Sequence, residues 1–261
     1  MSRIALVGSG KVAWQLGKRL TIKGFAVSQV LSRTAAHARA LAKTLHASWS
    51  DQWADILPDT DWILIAIRDD VIGTVAAALS EHAPAALATH TSGATPGTVL
   101  APFFDRYGVF YPLQTFSRER KPDWADIPVC VDASNEKDLA FLRMAAEKIG
   151  KQAYSINDSQ RAQLHVAAVF ANNFSNHCFA IAEKILREKG LSFELLHPLM
   201  QETIAKALKQ SPFDIQTGPA VRGDEATMRR HLQLLGQHAD WQQVYQLLSD
   251  SIKKEHGASD T

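Results

Sequence analysis

Six residues near the start of the chain restrict its fold more than any other feature. Gly8-Ser9-Gly10-Lys11-Val12-Ala13 has the pattern G-x-G-x-x-A and follows a short apolar run over residues 3 to 8. After it come Val12, Leu16, Leu20 and Ile22 at helical spacing, stopped by Gly24. This reads as strand, tight turn, helix. A second run, Phe25 to Leu31, ends at Ser32-Arg33-Thr34 and leads into an alanine-rich helix over Ala35 to Leu45. With a short segment around Ala47, the βαβ unit closes within about 30 residues.

Further strands are expected at Trp62 to Ile67, whose continuous apolar character suits a strand buried on both faces, and at Leu87 to Thr91, Val109 to Tyr111, Val129 to Val131 and Ala153 to Ile156. Helices are expected at Ile72 to Leu79 and Glu136 to Ile149. The alternation predicts an α/β fold, a Rossmann-type doubly wound sheet. After Ile156 no β-branched run recurs, so residues 1–156 are read as one domain and 157–261 as a second, all-α domain. Asn157-Asp158-Ser159 offers N-cap chemistry to a long helix from about Gln160 to Lys189, apolar nearly all round its middle and therefore expected to be the buried centre of that domain. Shorter helices are placed around Pro198 to Lys209, after Asp224, and from Asp240 to about Lys254, with a frayed tail over Glu255 to Thr261.

Charge narrows the ligand. Over the 261 residues, 28 Lys+Arg and 27 Asp+Glu nearly cancel, but the first 50 residues hold eight bases and no carboxylate, leaving 20 bases against 27 acids after them. The basic residues are scattered over a βαβ unit without the clustering that nucleic acid or a membrane surface requires, so neither is an expected partner. No run approaches 18 apolar residues, and the first apolar run is too short for a signal-peptide core, so a cytoplasmic setting is expected. Cys130 and Cys178, lacking metal-like spacing, are read as buried thiols, and no metal is expected.

The glycine motif has a physical meaning in this context. Gly8 permits the tight turn, Gly10 lets a pyrophosphate approach the backbone, and the small Ala13 lets the helix pack closely on its strand, while Ser9, Lys11 and Val12 present free N–H groups at a helix N-terminus. A methyltransferase would use a similar loop, but it would usually place an acid just before the glycines, and none is present. In NAD-specific folds an acid about 20 residues on accepts the ribose 2′-OH. Here Ser32-Arg33-Thr34 stands instead, a guanidinium between two hydroxyls that can fork onto a 2′-phosphate, and the expected cofactor is NADP(H). The plainer reading of Arg33 is a solvated surface arginine.

Two later strand ends are expected to complete the site. Ala66 and Ile67 line the ribose and nicotinamide side, followed by Asp69 and Asp70, either of which can instead cap the next helix. His90-Thr91-Ser92-Gly93 places an imidazole, two hydroxyls and a glycine at one strand terminus, suited to amide recognition or proton donation, or else to a turn that satisfies only its own backbone.

These residues resemble a known group. The first half is similar to the NADP-binding domain of the pyrroline-5-carboxylate reductase and F420-dependent NADP reductase group. The set His90 to Gly93, Tyr111 to Ser117, Leu164 to Phe170 with Asn173-Phe174, and Thr217 to Asp224 resembles, over nearly the whole chain, the family of Rossmann-like NADP oxidoreductases with a helical C-terminal domain of unknown function. Many members carry His where this chain has Tyr111. The resemblance implies a C-terminal domain like that of 6-phosphogluconate dehydrogenase, NADP(H), and a homodimer built on the helical domain, but no named reaction.

On the long helix, at 100° per residue, Arg161, His165, Asn172 and Asn176 share an arc of roughly 60° among apolar neighbours. Such a polar stripe needs partners from a cleft, a substrate or a dimer seam. His165 is the first candidate proton donor and His90 the second, with Asn172, or Asn173 as the family motif implies, anchoring a carbonyl or imine. Gln114 and Thr115 are expected to orient the substrate and Arg222 to bind a carboxylate, unless Arg222 only braces Asp224. The reading is an oxidoreductase acting on a small carbonyl or imine compound; its rival is a non-catalytic NADP(H)-responsive binding protein.

Overall fold

The structure is a computed structural model, and it describes residues 3–257. The chain forms two compact units, Met1–Val169 and Phe170–Thr261. The first is an eight-stranded sheet of β1 (Arg3–Val7), β2 (Ala26–Leu31), β3 (Ser48–Ser50), β4 (Trp62–Ile65), β5 (Leu87–His90), β6 (Tyr107–Pro112), β7 (Pro128–Ala133) and β8 (Gln152–Ser155), ordered β3-β2-β1-β4-β5-β6-β7-β8. Strands β1 to β6 are mutually parallel, and the expected doubly wound pattern holds across them. β7 runs antiparallel to β6 and parallel to β8, an edge that the sequence did not reveal.

The helices of this unit are α1 (Lys11–Ile22), α2 (Ala35–Leu45), α3 (Ile72–Ser80), α4 (Glu136–Ile149) and α5 (Asp158–Ala168). Side chains alternate across a strand, so each buried strand feeds two cores. Ile4, Leu6, Trp62 and Leu64 pack with α1, α2 and α4, while Ala5, Val7, Ile63 and Ile65 pack with α3 and with Leu100 and Phe104. Trp62 anchors the first core, meeting Phe25, Phe110 and Phe141 edge to face and donating its indole N–H to Thr89 Oγ1 at 2.8 Å. β2 leaves β1 on one side and β4 on the other, so the order reverses at β1 and a crevice opens at the carboxyl ends of these strands.

α5 clusters with the sheet, so the first unit extends past residue 156. Its start is the expected cap: Asn157 accepts from the Gln160 amide, and Gln160 returns a bond to the Asn157 N–H. A π-helical stretch, Val169–Phe174, then precedes α6 (Ser175–Glu188). The projection at 100° per residue therefore fails beyond Val169, because a π turn takes more residues per turn.

The second unit continues with α7 (His197–Ala207), α8 (Glu225–Leu235) and α9 (Ala239–Gly257). α8 and α9 are joined by His231 Nδ1 to Tyr245 Oη at 2.9 Å and by Lys253 Nζ to Glu225 Oε1 at 2.6 Å. Three expectations are corrected here. α6 has no buried residue, and Cys178 on it is exposed, because the chain by itself supplies too few neighbours to cover that helix. Residues 255–257, expected to fray, continue α9, and the remainder of that tail lies outside the described residues. No described helix is long and apolar enough to cross a membrane.

Candidate functional site

The crevice at the ends of β1, β4 and β5 is a cleft of about 730 Å³ within the first unit. At one end lies the glycine loop. Gly8 has φ +110°, and a Cβ there would collide with the carbonyl of Ala66, so only glycine fits. Its N–H reaches Leu31 O at 2.7 Å, and the Ala66 N–H reaches Val7 O at 2.7 Å, which ties the ends of β1, β2 and β4 together. Gly10, the N-cap of α1, has no side-chain cap, no acid follows in the first turn, and a Cβ placed on it would meet nothing within 4 Å. Open space and uncapped N–H groups at a helix N-terminus are what an anionic pyrophosphate requires. Ala13 is fully buried beneath the loop, as close packing of α1 demands.

Ser9 and Ser32 join through their hydroxyls at 2.7 Å and are both buried. Arg33 and Thr34 stand exposed at the rim of the cleft, with Lys11 and Val12 also on its wall. No acid opens α2. These residues fit a dinucleotide with a 2′-phosphate. No sequence pattern points to Arg118, which donates from Nη2 to Ser9 O at 2.8 Å and lies over the Trp14 ring, nor to Trp53 and Thr74 on the cleft wall. They come from separate segments, Thr74 from α3 and Trp53 from a 3-10 turn, that no local pattern connects to the glycine motif.

Ala66 and Ile67 pass directly against Gly8, and Thr91, Ser92, Gly93, Tyr111, Gln114 and His165 complete the lining of the cleft. Asp69 accepts from Ser92 Oγ at 2.8 Å, and Asp70 pairs with Arg68 at 2.6 Å, so neither acid caps the next helix through its side chain. Ser92 Oγ also accepts from the amides of Ala94 and Thr95, holding its own turn.

His90 does not reach the cleft. It is fully buried, its Nδ1 accepts from the Ser92 N–H at 3.2 Å, and its Nε2 faces Pro96 O at 3.3 Å. Burial, helped by the nearby Arg161 cation, lowers its pKa to about 4. A neutral imidazole occupied on both nitrogens braces the turn and has no proton to give.

His165 does reach the cleft, on α5. Its Nδ1 lies 3.4 Å from Tyr111 Oη, and the two rings meet edge to face. α5 is fixed to the loop after β5: Asp158 accepts from the Gly97 N–H at 2.9 Å, and Arg161, 1% exposed, donates from Nη2 to Thr95 O at 2.6 Å and to Asp158 at 2.7 Å. Gln114 lines the cleft and accepts from the Thr115 amide, whereas Thr115 itself is not on the cleft wall. Asn172, Asn173 and Arg222 are exposed residues of the second unit, with Asn172 Nδ2 bonded to Asn173 Oδ1 at 3.3 Å. The Asp224 carboxylate caps α8 by accepting from the Thr227 N–H at 3.0 Å. Cys130 is buried and its thiol pushed up to about 11 by that burial, which makes it unreactive.

Known proteins agree with this architecture. Residues 3–88 match the family described as NADP oxidoreductase, coenzyme F420-dependent, and residues 127–252 match DUF2520, a domain of unknown function. A solved structure reported as a "putative NADP oxidoreductase" from Bacteroides fragilis is 37% identical over 97% of this chain and 98% of that one, with a TM-score of 0.92. A protein from Thermotoga maritima is 20% identical over 99% and 100% of the two chains, with a TM-score of 0.73. An imine reductase from Myxococcus stipitatus in complex with NADP+ is 17% identical over 99% and 94%, with a TM-score of 0.67. These last two share the fold. No curated protein matches the chain.

Two measurements test the site as drawn. Arg33→Ala should weaken NADPH binding about tenfold to a hundredfold in a fluorescence titration and leave NADH affinity unchanged, since a hydrogen bond to a charged group contributes roughly 1.5–3 kcal/mol. Equal losses for both nucleotides would remove Arg33 from the 2′-phosphate. The depressed pKa of His90 stabilises the fold fully above the unfolded value near 6.5, and that contribution is lost as pH falls toward 4. Urea midpoints should therefore drop across this window in the wild type and drop less in His90→Gln. Both the relative from Bacteroides fragilis, matched along almost its whole length, and the two matched segments lead to one conclusion: the chain belongs to the family of NADP oxidoreductases in which an N-terminal nucleotide-binding segment is joined to DUF2520, a match that takes in β7 and β8 of the sheet as well as the C-terminal helices.

Proposed function

We propose that this protein is a cytoplasmic NADPH-dependent reductase of a small carbonyl or imine compound. The observation that carries the reading is that one cleft holds both an uncapped, glycine-lined phosphate cradle and, at its other end, the pair Tyr111 and His165. NADPH, when bound, supplies a hydride to an unsaturated carbon. The chain must then do the rest. Gly8, Ser9, Gly10 and the start of α1 bind the pyrophosphate, and Arg33 with Ser32 and Thr34 takes the 2′-phosphate. Ala66, Ile67, Thr91, Ser92 and Gly93 form the wall beside the nicotinamide, and Gln114 orients the substrate. Reduction of C=O or C=N leaves an oxygen or nitrogen that needs a proton, and His165 brings it into the cleft. Asn173, Asn172 and Arg222 are read as substrate-binding residues of the second unit, Phe170–Thr261.

A second copy of the chain completes that domain in this proposal. Support comes from its apolar surface: Phe170 is 64% exposed, Leu199 63% and Leu208 82%, and of its described hydrophobic residues only Ala220 and Met228 are buried. An isolated helical unit with so little interior is not expected to be stable alone. Sedimentation should show a homodimer, and Leu199→Asp should shift it toward monomer; a wild-type monomer at micromolar concentration would reject this part of the proposal.

The catalytic reading is tested by substitution at α5. With a screen of keto acids, aldehydes and cyclic imines followed by loss of NADPH absorbance, His165→Ala should lower kcat at least about a hundredfold while NADPH affinity stays within twofold. Unchanged turnover would take His165 out of the mechanism.

A further inference from the structure

We propose that Tyr111 is the catalytic acid of the cleft and that His165 restores its proton, an inference that rests on the reductase reading above. Tyr111 lies in β6, beside β5, whose following turn supplies Thr91, Ser92 and Gly93 to the same cleft. Gly93 explains how two rings fit there: a Cβ on it would come within 2.5 Å of His165 Nδ1 and 2.9 Å of Tyr111 Cζ. Both rings close over bare backbone. The phenol oxygen and His165 Nδ1 are 3.4 Å apart, a separation that commonly tightens when a substrate closes the site.

The direction of proton flow follows from the surroundings. Burial raises the pKa of the Tyr111 phenol, with Cys130 and Asp69 adding to the rise and Arg161 opposing it, so the group is a protonated, uncharged donor at neutral pH. His90 is closed off by Ser92 and Pro96. The acids near the dyad are occupied: Asp69 accepts from Ser92, and Asp158 accepts from Gly97 and Arg161. Asp132 is held above its ordinary pKa chiefly by burial and accepts from the Ala133 N–H. That leaves His165 as the imidazole in contact with the phenol, carried on a helix that Asp158 and Arg161 fix to the Gly93 loop.

The step balances as follows. With hydride supplied to the substrate carbon by a bound NADPH, the C=O or C=N π bond would break and the Tyr111 O–H proton would pass to the oxygen or nitrogen. The phenolate would take the Nδ1 proton of His165 while Nε2 takes one from solvent, which loses one H+ in all, and exchange with solvent returns the imidazole to its Nδ1–H form. One hydride and one proton are consumed, and both side chains end in their starting charge states.

In the nucleotide-free protein, ¹⁵N NMR of the His165 ring should show the Nδ1–H tautomer, held by the phenol oxygen, and Tyr111→Phe should shift it toward Nε2–H. In the reductase screen, Tyr111→Phe should lower kcat about a hundredfold or more with NADPH affinity within twofold, and Tyr111→His, which keeps a donor, should recover at least about tenfold of that loss. An identical tautomer in both proteins, or Tyr111→Phe turnover within twofold of wild type, overturns the assignment. A wild type that reduces no compound in the screen overturns the reductase reading and with it the acid role, whereas a reducing wild type with an active Tyr111→Phe overturns the acid role alone.

Discussion

The passage of Gly8 beneath the carbonyl of Ala66 is the constraint on which the ligand end of this protein depends. It lets the ends of β1 and β4 stay bonded through Ala66 N–H to Val7 O while the chain turns directly into α1. A side chain at Gly8 would force the two strands apart, and the cleft floor would go with them. Because the turn is so tight, the first amides of α1 point into the crevice without a cap, and the buried Ser9–Ser32 hydroxyl contact closes the base between β1 and β2. The anion site is therefore a consequence of backbone geometry, and side chains only refine its preference.

That view changes the meaning of the basic N-terminal segment. Of its eight bases, Lys11 and Arg33 line the cleft. Several of the others have structural partners: Lys18 lies over Trp14, Arg39 over Trp49, and Arg19 over Trp124 while also donating to Ile149 O at 2.7 Å. A cation against an aromatic face contributes roughly 0.5–1 kcal/mol at an exposed site. The charge excess is thus divided between the wall of the cleft and ordinary helix packing, with little left over for a polyanionic partner.

Much of the first unit was legible because its signals are local. The apolar run at Trp62, the alternation of strand and helix, and the Asn157 cap all predict elements that the structure contains, and the glycine spacing predicts which strand ends meet. The central helix was less legible. Its nearly all-round apolar character predicted burial, yet α6 has none, since hydrophobicity reports only that a surface needs covering and not what covers it. The π stretch at Val169–Phe174 likewise escapes a fixed 100° rotation, so the stripe drawn from Arg161 to Asn176 holds only as far as α5.

The two histidines show where sequence reasoning stops. His165, on a helix, stood as the first candidate and His90, in a strand-end motif, as the second. The spacing of residues can place an imidazole near a strand terminus, but only the packed structure decides whether its nitrogens face Ser92 and Pro96 or open cleft. Tyr111 is the converse case, unremarkable except as a departure from its relatives until Gly93 and α5 bring it against His165, 54 residues away. The sequence by itself determined the βαβ core and the tight glycine turn, because each is fixed by neighbouring residues through backbone sterics. Burial, tautomer and the meeting of side chains from β6 and α5 depend on long-range packing, and the tertiary structure alone decided them.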